Sequence, residues 1–196
     1  MRHLGTRTLE TKRLILRQFK IEDAVGMYKN WASDHEVTKY LKWKTHESID
    51  ESLQVISSLW LPSYKELNFY HWVIEVKDIG EPIGYIGVSN SDDFIKSVHI
   101  YYCIGKSWWY KGYASEALRR LVMFFFEEVK VNRIESRYDS QNPNSGKVLI
   151  KSGFRYEGTS RQSDWNNQGI YDAVNYAMLA EDYLSSNIQK SSVMIN

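Results

Sequence analysis

A single cysteine, Cys103, occurs in the whole chain, which removes both an intramolecular disulfide and a cysteine-cluster metal site. No apolar run approaches the ~20 residues of a membrane span, and no signal-peptide core precedes the first polar segment. The chain therefore reads as intracellular and cytoplasmic, with no membrane partner. Charge of one sign is missing too: 25 Lys and Arg residues stand against 24 Asp and Glu, a net charge of +1. That balance offers no polyanion-binding surface, so nucleic acid is not expected as a direct partner. Two nucleotide-binding signatures are absent, the G-x-x-x-x-G-K-[ST] loop and a G-x-G-x-x-G that follows a strand. There is no internal repeat, low-complexity tract or interdomain linker. Proline is scarce, three residues, and each marks a boundary. Pro62 is expected to end a helix, Pro82 to sit in a turn and Pro143 to open a helix.

What is present is a globular balance, 43% hydrophobic and 25% charged. A chain of 196 residues fits one domain with a sizeable core. Residues 1–8 and 185–196 read as loose arms around a core of about 10–183. Aromatic residues make up 14% and include seven Trp. Several fall in expected loops or helix ends, where they either line a cleft or fill gaps in the core.

In chain order, the run 13–17 reads as a first strand, and Glu22-Asp23 open a helix over Ala24, Met27, Tyr28 and Trp31. Residues 34–44 read as a loop. A second helix is expected from about Ser48 to Leu61, with Ser48 as N-cap and Glu51 in the capping-box position. Three strands follow, at 69–77, 83–88 and 98–104, with Gly84 and Gly87 where side chains would crowd a neighbour. In the first, Tyr70, Trp72, Ile74 and Val76 share one face, and Phe69, His71, Val73 and Glu75 the other. After the next helix come a strand at 133–138 and a short helix with Asn142 as N-cap, Pro143 at its first position and Gly153 just past its end. Two antiparallel strands close the chain around the turn 166–169.

The stretch Trp108 to Ala117 organises the rest. Apolar residues at Ala114, Ala117, Leu118, Leu121, Val122, Phe125 and Val129 form the stripe of a helix with one buried face. Gly112 stands where strand hands over to helix. Glycine there lets the backbone approach a ligand. The first-turn amides of the helix lack internal partners and carry the positive end of the dipole, which makes a phosphate site. A plain strand-to-helix turn is the alternative.

The turn resembles the acyl-CoA pyrophosphate loop of the GNAT superfamily of N-acetyltransferases, Arg/Gln-x-x-Gly-x-Gly/Ala. Gly112 and Ala114 keep the last two marked positions, and Trp109 stands at the first, a departure seen in the ribosomal-protein N-acetyltransferase branch. That branch is also matched by the opening Glu10-Thr11-Lys12-Arg13-Leu14-Ile15-Leu16-Arg17. Further matches are Ile83-Gly84-Tyr85-Ile86-Gly87, Gly112 through Leu118, Asn142 with Ser145, and Lys151-Ser152-Gly153-Phe154 with Glu157-Gly158. The resemblance implies the acyl-CoA N-acyltransferase fold: a mixed α/β, mostly antiparallel sheet of about seven strands flanked by about four helices. It implies acetyl-CoA as co-substrate with no metal, and a homodimer would fit the family.

The resemblance also assigns roles. Backbone amides of Tyr110, Lys111, Gly112, Tyr113 and Ala114, beside Trp109, would hold the pyrophosphate. The Lys111 side chain either pairs with a phosphate or is solvated. The backbone of Cys103 and Ile104 would pair with the pantetheine arm, and Asn142 and Ser145 would meet its thiol end. Trp31, Tyr40 and Trp43, with Tyr28 and Trp60 nearby, would face the acceptor. An ammonium acceptor must lose a proton before it attacks, and the matched base is Asp164. Arginines around it, with Arg155 and Arg161 close in sequence, would instead make it an anchor for a cationic acceptor. His99 and Glu75 are rival bases. The family's usual tyrosine acid is replaced by Leu149, and Ser145 is the substitute donor. An acyl-enzyme on Cys103 is rejected, because a strand cysteine is ordinarily a small buried hydrophobe. The expected activity is acetyl transfer to a primary amine, most closely a protein N-terminal amine. The alternatives are a small amine, such as a polyamine or antibiotic, and a non-catalytic acyl-CoA-binding module.

Overall fold

Alternation decides the sheet. In the computed structural model, which describes residues 1–185, the expected two-faced run becomes β3 (His71–Val76). Trp72, Ile74 and Val76 join one apolar layer and Val73 the other. The remaining strands are β1 (Leu9–Glu10), β2 (Leu14–Arg17), β4 (Glu81–Asp92), β5 (Ser97–Ile104), β6 (Arg133–Asp139), β7 (Arg155–Asn166) and β8 (Gly169–Leu179). They form one eight-stranded sheet in the order β1-β2-β3-β4-β5-β6-β8-β7. Every neighbouring pair is antiparallel except β5 and β6.

Helices cover both faces. α5 (Tyr113–Phe124) lays Ala117, Leu118, Leu121 and Val122 over Val98, Ile100 and Ile134, and Leu149 of α6 (Pro143–Lys151) joins the same layer. A π-helical turn, Phe125–Val129, extends α5 and turns Phe124, Phe125, Phe126 and Val129 all into the interior. On the other face, α1 (Asp23–Met27), α2 (His35–Thr38), α3 (Ile49–Val55) and α4 (Leu61–Ser63) cover Val73, Tyr85 and Cys103. Arg17 holds α1 to the sheet through Asp23 at 2.7 Å and Glu75 at 2.6 Å.

The mixed α/β architecture matches the expectation; several details do not. The sheet has an eighth strand, β1, which pairs Leu9 and Glu10 with β2, and residues 1–8 before it are not a loose arm. The Gly5 amide donates to the Leu67 carbonyl at 2.8 Å, Thr6 Oγ1 to the Phe69 carbonyl at 2.9 Å, and the Trp72 indole to the Arg7 carbonyl at 2.6 Å. The expected loop 34–44 contains α2, capped by Asp34. The helix from Ser48 runs past Pro62 to Ser63. A π-helical turn, Ile56–Trp60, precedes the proline, which sits in the first turn of α4 and lacks no needed donor there. Ser48 Oγ does accept from the Glu51 amide, but the Glu51 carboxylate turns to the Glu47 amide. Asn142 occupies the N-cap position of α6 without a side-chain cap bond. The expected frayed tail lies outside the described residues.

Gly84 allows β4 and β5 to approach: a Cβ there would stand 2.1 Å from the Cys103 carbonyl oxygen. Gly84→Ala must therefore spread the two central strands. A loss of about 5–10 °C in melting temperature is expected, measured by circular dichroism.

Candidate active site

The sheet opens at its middle. β5 and β6 pair only at Ser97↔Arg133, Val98↔Ile134 and His99↔Glu135. Beyond His99 the strands diverge, and β5 continues to Ile104 with a free edge on that side. The Gly105 amide donates to the Ile83 carbonyl at 2.8 Å, which fixes the alternation of the β4–β5 ladder. Cys103 accordingly turns its peptide groups to Tyr85, whereas Tyr102 and Ile104 turn theirs into the opening. This corrects the expectation for Cys103, whose backbone belongs to β4. The Ile104 carbonyl accepts from the Trp109 indole at 2.6 Å, leaving its amide as the free group. The Cys103 thiol is buried, and burial pushes its pKa far up, so it stays protonated.

β5 leads through Lys106–Trp108 into the glycine turn. Tyr110 and Gly112 both adopt the left-handed region, with φ of 62° and 82°. Tyr110, Lys111 and Gly112 are exposed, and the first-turn amides of α5 lie beside them. The turn is held from behind. Glu116 accepts from Thr11 Oγ1 at 2.6 Å and from the Arg13 amide at 3.0 Å, and pairs with the Arg13 guanidinium at 2.6 Å. Arg13 Nη1 donates to the Lys111 carbonyl at 3.0 Å, and its guanidinium lies 4.3 Å from the Tyr113 ring centre. Burial would raise the Glu116 pKa, but Thr11 and Arg13 together hold it below the ordinary value. An unpaired row of strand amides running into a helix N-terminus suits an extended amide-bearing arm that ends in phosphates.

α6 closes the far side of the opening. Ser145 Oγ lies 3.0 Å from the Tyr102 hydroxyl, which also donates to the Ser145 carbonyl at 2.9 Å. Burial raises the Tyr102 pKa, so the phenol remains a donor. Tyr138 lies against Gly146 from the β6 side. Tyr110 reaches across to α6, where Asn144 Nδ2 donates to its hydroxyl at 3.1 Å. Asn142 is half-buried beside this turn. Sequence reasoning missed Tyr102; its place on the face shared with Val98 and Ile100, toward α6, was the available signal.

On the opposite face, residues 38–45 form a strap across to the β7–β8 hairpin. Asn167 fastens it: its amide donates to the Leu41 carbonyl at 3.1 Å, and its Nδ2 to the carbonyls of Thr38 at 2.9 Å and Trp43 at 2.7 Å. Tyr40 donates to the Gln141 carbonyl at 3.0 Å, and the Trp43 indole to the Tyr85 hydroxyl at 3.2 Å. Both rings are half-buried in the strap. Trp31 is not at the cleft; it is fully buried under the helices, so its expected contact with acceptor is corrected to core packing.

Asp164 is doubly paired, with Lys42 at 2.5 Å and Arg137 at 2.9 Å, and its side chain is 7% exposed. Burial would raise its pKa, but Lys42, the Trp165 amide and Arg137 keep it below the ordinary carboxylate range. Both oxygens are engaged in tying strap to β6, which suits neither a proton acceptor nor a free anchor. The partners are not the sequence-adjacent arginines: Arg155 pairs with Asp182 at 2.8 Å, and Arg161 is exposed. Glu75 is engaged with Arg17. His99 stands at the vertex of the opening and lines a cavity of about 180 Å³ together with Glu135 and Arg137. Among the described residues no group of three or more His, Cys, Asp or Glu could hold a metal, and no helix is long and apolar enough to cross a membrane.

Comparison with known proteins agrees with this geometry. A family model described as "Acetyltransferase (GNAT) domain" matches residues 13–155. The chain is 33% identical over 171 residues to the uncharacterized N-acetyltransferase YoaA of Bacillus subtilis, covering 87% of this chain and 96% of that one. It is 29% identical over 102 residues to a ribosomal-protein-serine acetyltransferase of Escherichia coli, covering 52% and 56% of the two chains. The fold is similar to that of the microcin C7 self-immunity acetyltransferase MccE, solved with acetyl-CoA and AMP. The TM-score is 0.76 at 19% identity, over 86% of this chain and 93% of that one.

Asp164 titrates below its unfolded value, so its ion pairs stabilise the fold above that value, and the stabilisation is lost as pH falls through the folded pKa. Asp164→Asn is expected to melt about 2–4 °C below the parent at pH 7. The two curves should converge only once the pH has fallen below the depressed folded pKa, where the carboxyl is neutral in both states.

Proposed function

The chain belongs to the acetyltransferase (GNAT) family and is an N-acetyltransferase. From that premise we propose that it moves an acetyl group directly from acetyl-CoA to a protein N-terminal amine, in the manner of the ribosomal-protein N-acetyltransferases. The observation that carries the acetyl-CoA half is the free edge of β5, which runs into a left-handed glycine turn at the N-terminus of α5. The acceptor half is supported by the Glu10–Arg17 and Trp109 matches and by the E. coli relative. We read residues 10–183 as one catalytic domain and place it in the cytoplasm with its co-substrate.

On this reading the pantetheine arm lies along Tyr102 and Ile104, taking the Ile104 amide. The pyrophosphate rests on the amides from Tyr110 to Ala114, and Glu116 and Arg13 keep that turn in shape. Lys111 supplies a mobile positive charge. Ser145, held by Tyr102, donates to the departing sulfur. Asp164 positions the strap that carries Tyr40 and Trp43 to the acceptor. A small amine is the second reading, favoured by the fastening of the strap at Asn167, which narrows the approach to the sheet.

Acetyl-CoA should raise the melting temperature by mass action. Gly112→Val should remove that shift while leaving a folded protein, because a β-branched residue resists the left-handed backbone. An undiminished shift would dismiss the pyrophosphate assignment. Ser145→Ala should lower turnover modestly, up to about tenfold, and leave acetyl-CoA binding within a few-fold. Coenzyme A release should be read over peptides with free or blocked N-termini and over small amines. Turnover only with free N-terminal peptides supports the first reading, and turnover only with small amines the second. A thermal shift without any turnover would leave a binding module.

A further inference from the structure

We propose that His99 is the catalytic base, taking a proton from the acceptor amine through Nε2; this rests on the acetyl-transfer reading above. His99 is the last β5 residue paired with β6, so it marks the vertex where the two strands part. It projects to the strap face, opposite Val98 and Ile100, which pack under α5. Its Nε2 is buried and meets no polar partner, although the ring lines the cavity with Glu135 and Arg137. A buried ring nitrogen with no partner is costly unless something else arrives to use it.

The other nitrogen is held by a β-bulge. The β4–β5 register slips between Val88 and Asn90, so Ser89 is the extra residue, and its hydroxyl lies 2.9 Å from His99 Nδ1. The same hydroxyl donates toward the His99 carbonyl at 3.4 Å. With its proton placed there, Ser89 accepts from Nδ1–H, and Nε2 carries the lone pair. That is the tautomer a base requires.

The groups facing the ring are Ser89 from β4, Glu135 and Arg137 from β6, and Asp164 from β7, and Arg133 of β6 and Glu157 of β7, paired with each other, line the same cavity. Burial and Arg137 push its pKa below the ordinary imidazole value, while Glu135 and Asp164 pull it up. The ring is therefore neutral near pH 7, and both carboxylates favour the imidazolium that forms. In the step, the ammonium acceptor gives one proton to Nε2, and its freed lone pair forms the N–C bond to the acetyl carbonyl carbon. The C–S bond breaks, and sulfur leaves with the electron pair. The second nitrogen proton passes to that sulfur through the Ser145 hydroxyl, and His99 returns its proton to solvent.

The test is the pH profile of kcat with the best amine from the panel, for the parent, His99→Gln, His99→Asn and Ser89→Ala. Both His99 variants should lose about 100-fold or more in kcat and the acidic limb of the profile. Their acetyl-CoA thermal shift should match the parent's. Ser89→Ala should keep the limb but move its midpoint. If either His99 variant keeps kcat within about threefold with the limb intact, the proposal is overturned. The ¹⁵N shifts of the His99 ring are read without turnover: a protonated Nε2 at pH 7 also overturns it. A parent inactive with every amine would instead count against the acetyl-transfer reading.

Discussion

Backbone polar groups in a sheet must find partners, and the parting of β5 from β6 after three paired positions is a standing violation of that demand. The rest of the site follows from it. The indole of Trp109 satisfies one carbonyl along the free edge. What remains is a row of peptide groups that an extended, amide-bearing molecule can complete. Because the pair is parallel, both arms run in the same direction toward helix N-termini, α5 after one and α6 after the other. The opening thus ends between two positive helix ends, where an anionic group is most stable.

A second constraint holds the glycine turn at the head of α5. Left-handed conformations at Tyr110 and Gly112 cost energy unless the surroundings enforce them. Glu116 supplies the enforcement from below by gathering Thr11 and Arg13, and Arg13 passes it on to the Lys111 carbonyl and the Tyr113 ring. A segment 98 residues earlier in the chain, measured from Arg13 to Lys111, therefore shapes the turn.

Much of this was legible in the sequence where a residue's role is local. The stripe of α5, the faces of β3, Gly84 against β5 and Gly112 before the helix all follow from periodicity or from missing side chains. What escaped depends on neighbours distant in sequence. The cations around Asp164 are Lys42 and Arg137, not Arg155 and Arg161, because the strap and β6 meet it only in the folded chain, while Arg155 lies nine positions away along the extended strand. The N-terminal arm looked loose because its partners, Leu67, Phe69 and Trp72, lie some sixty residues on. The π-helical turns leave no mark in composition. Pro62 and Trp31 misled for a related reason: the turn before one and the packing over the other are tertiary facts.

The fastening of the strap has a consequence for timing. Asn167 makes three hydrogen bonds to one loop, and Asp164 of the same hairpin adds its ion pair with Lys42, so hairpin and loop separate only when all four contacts break together. At roughly 1 kcal/mol each, the three hydrogen bonds alone hold the open form below about one molecule in a hundred. On the acceptor placement proposed above, traffic to that face is then metered by a residue that touches neither thioester nor amine. The ceiling on catalytic frequency would be written in the stiffness of a hairpin, whatever the speed of the chemistry beneath it.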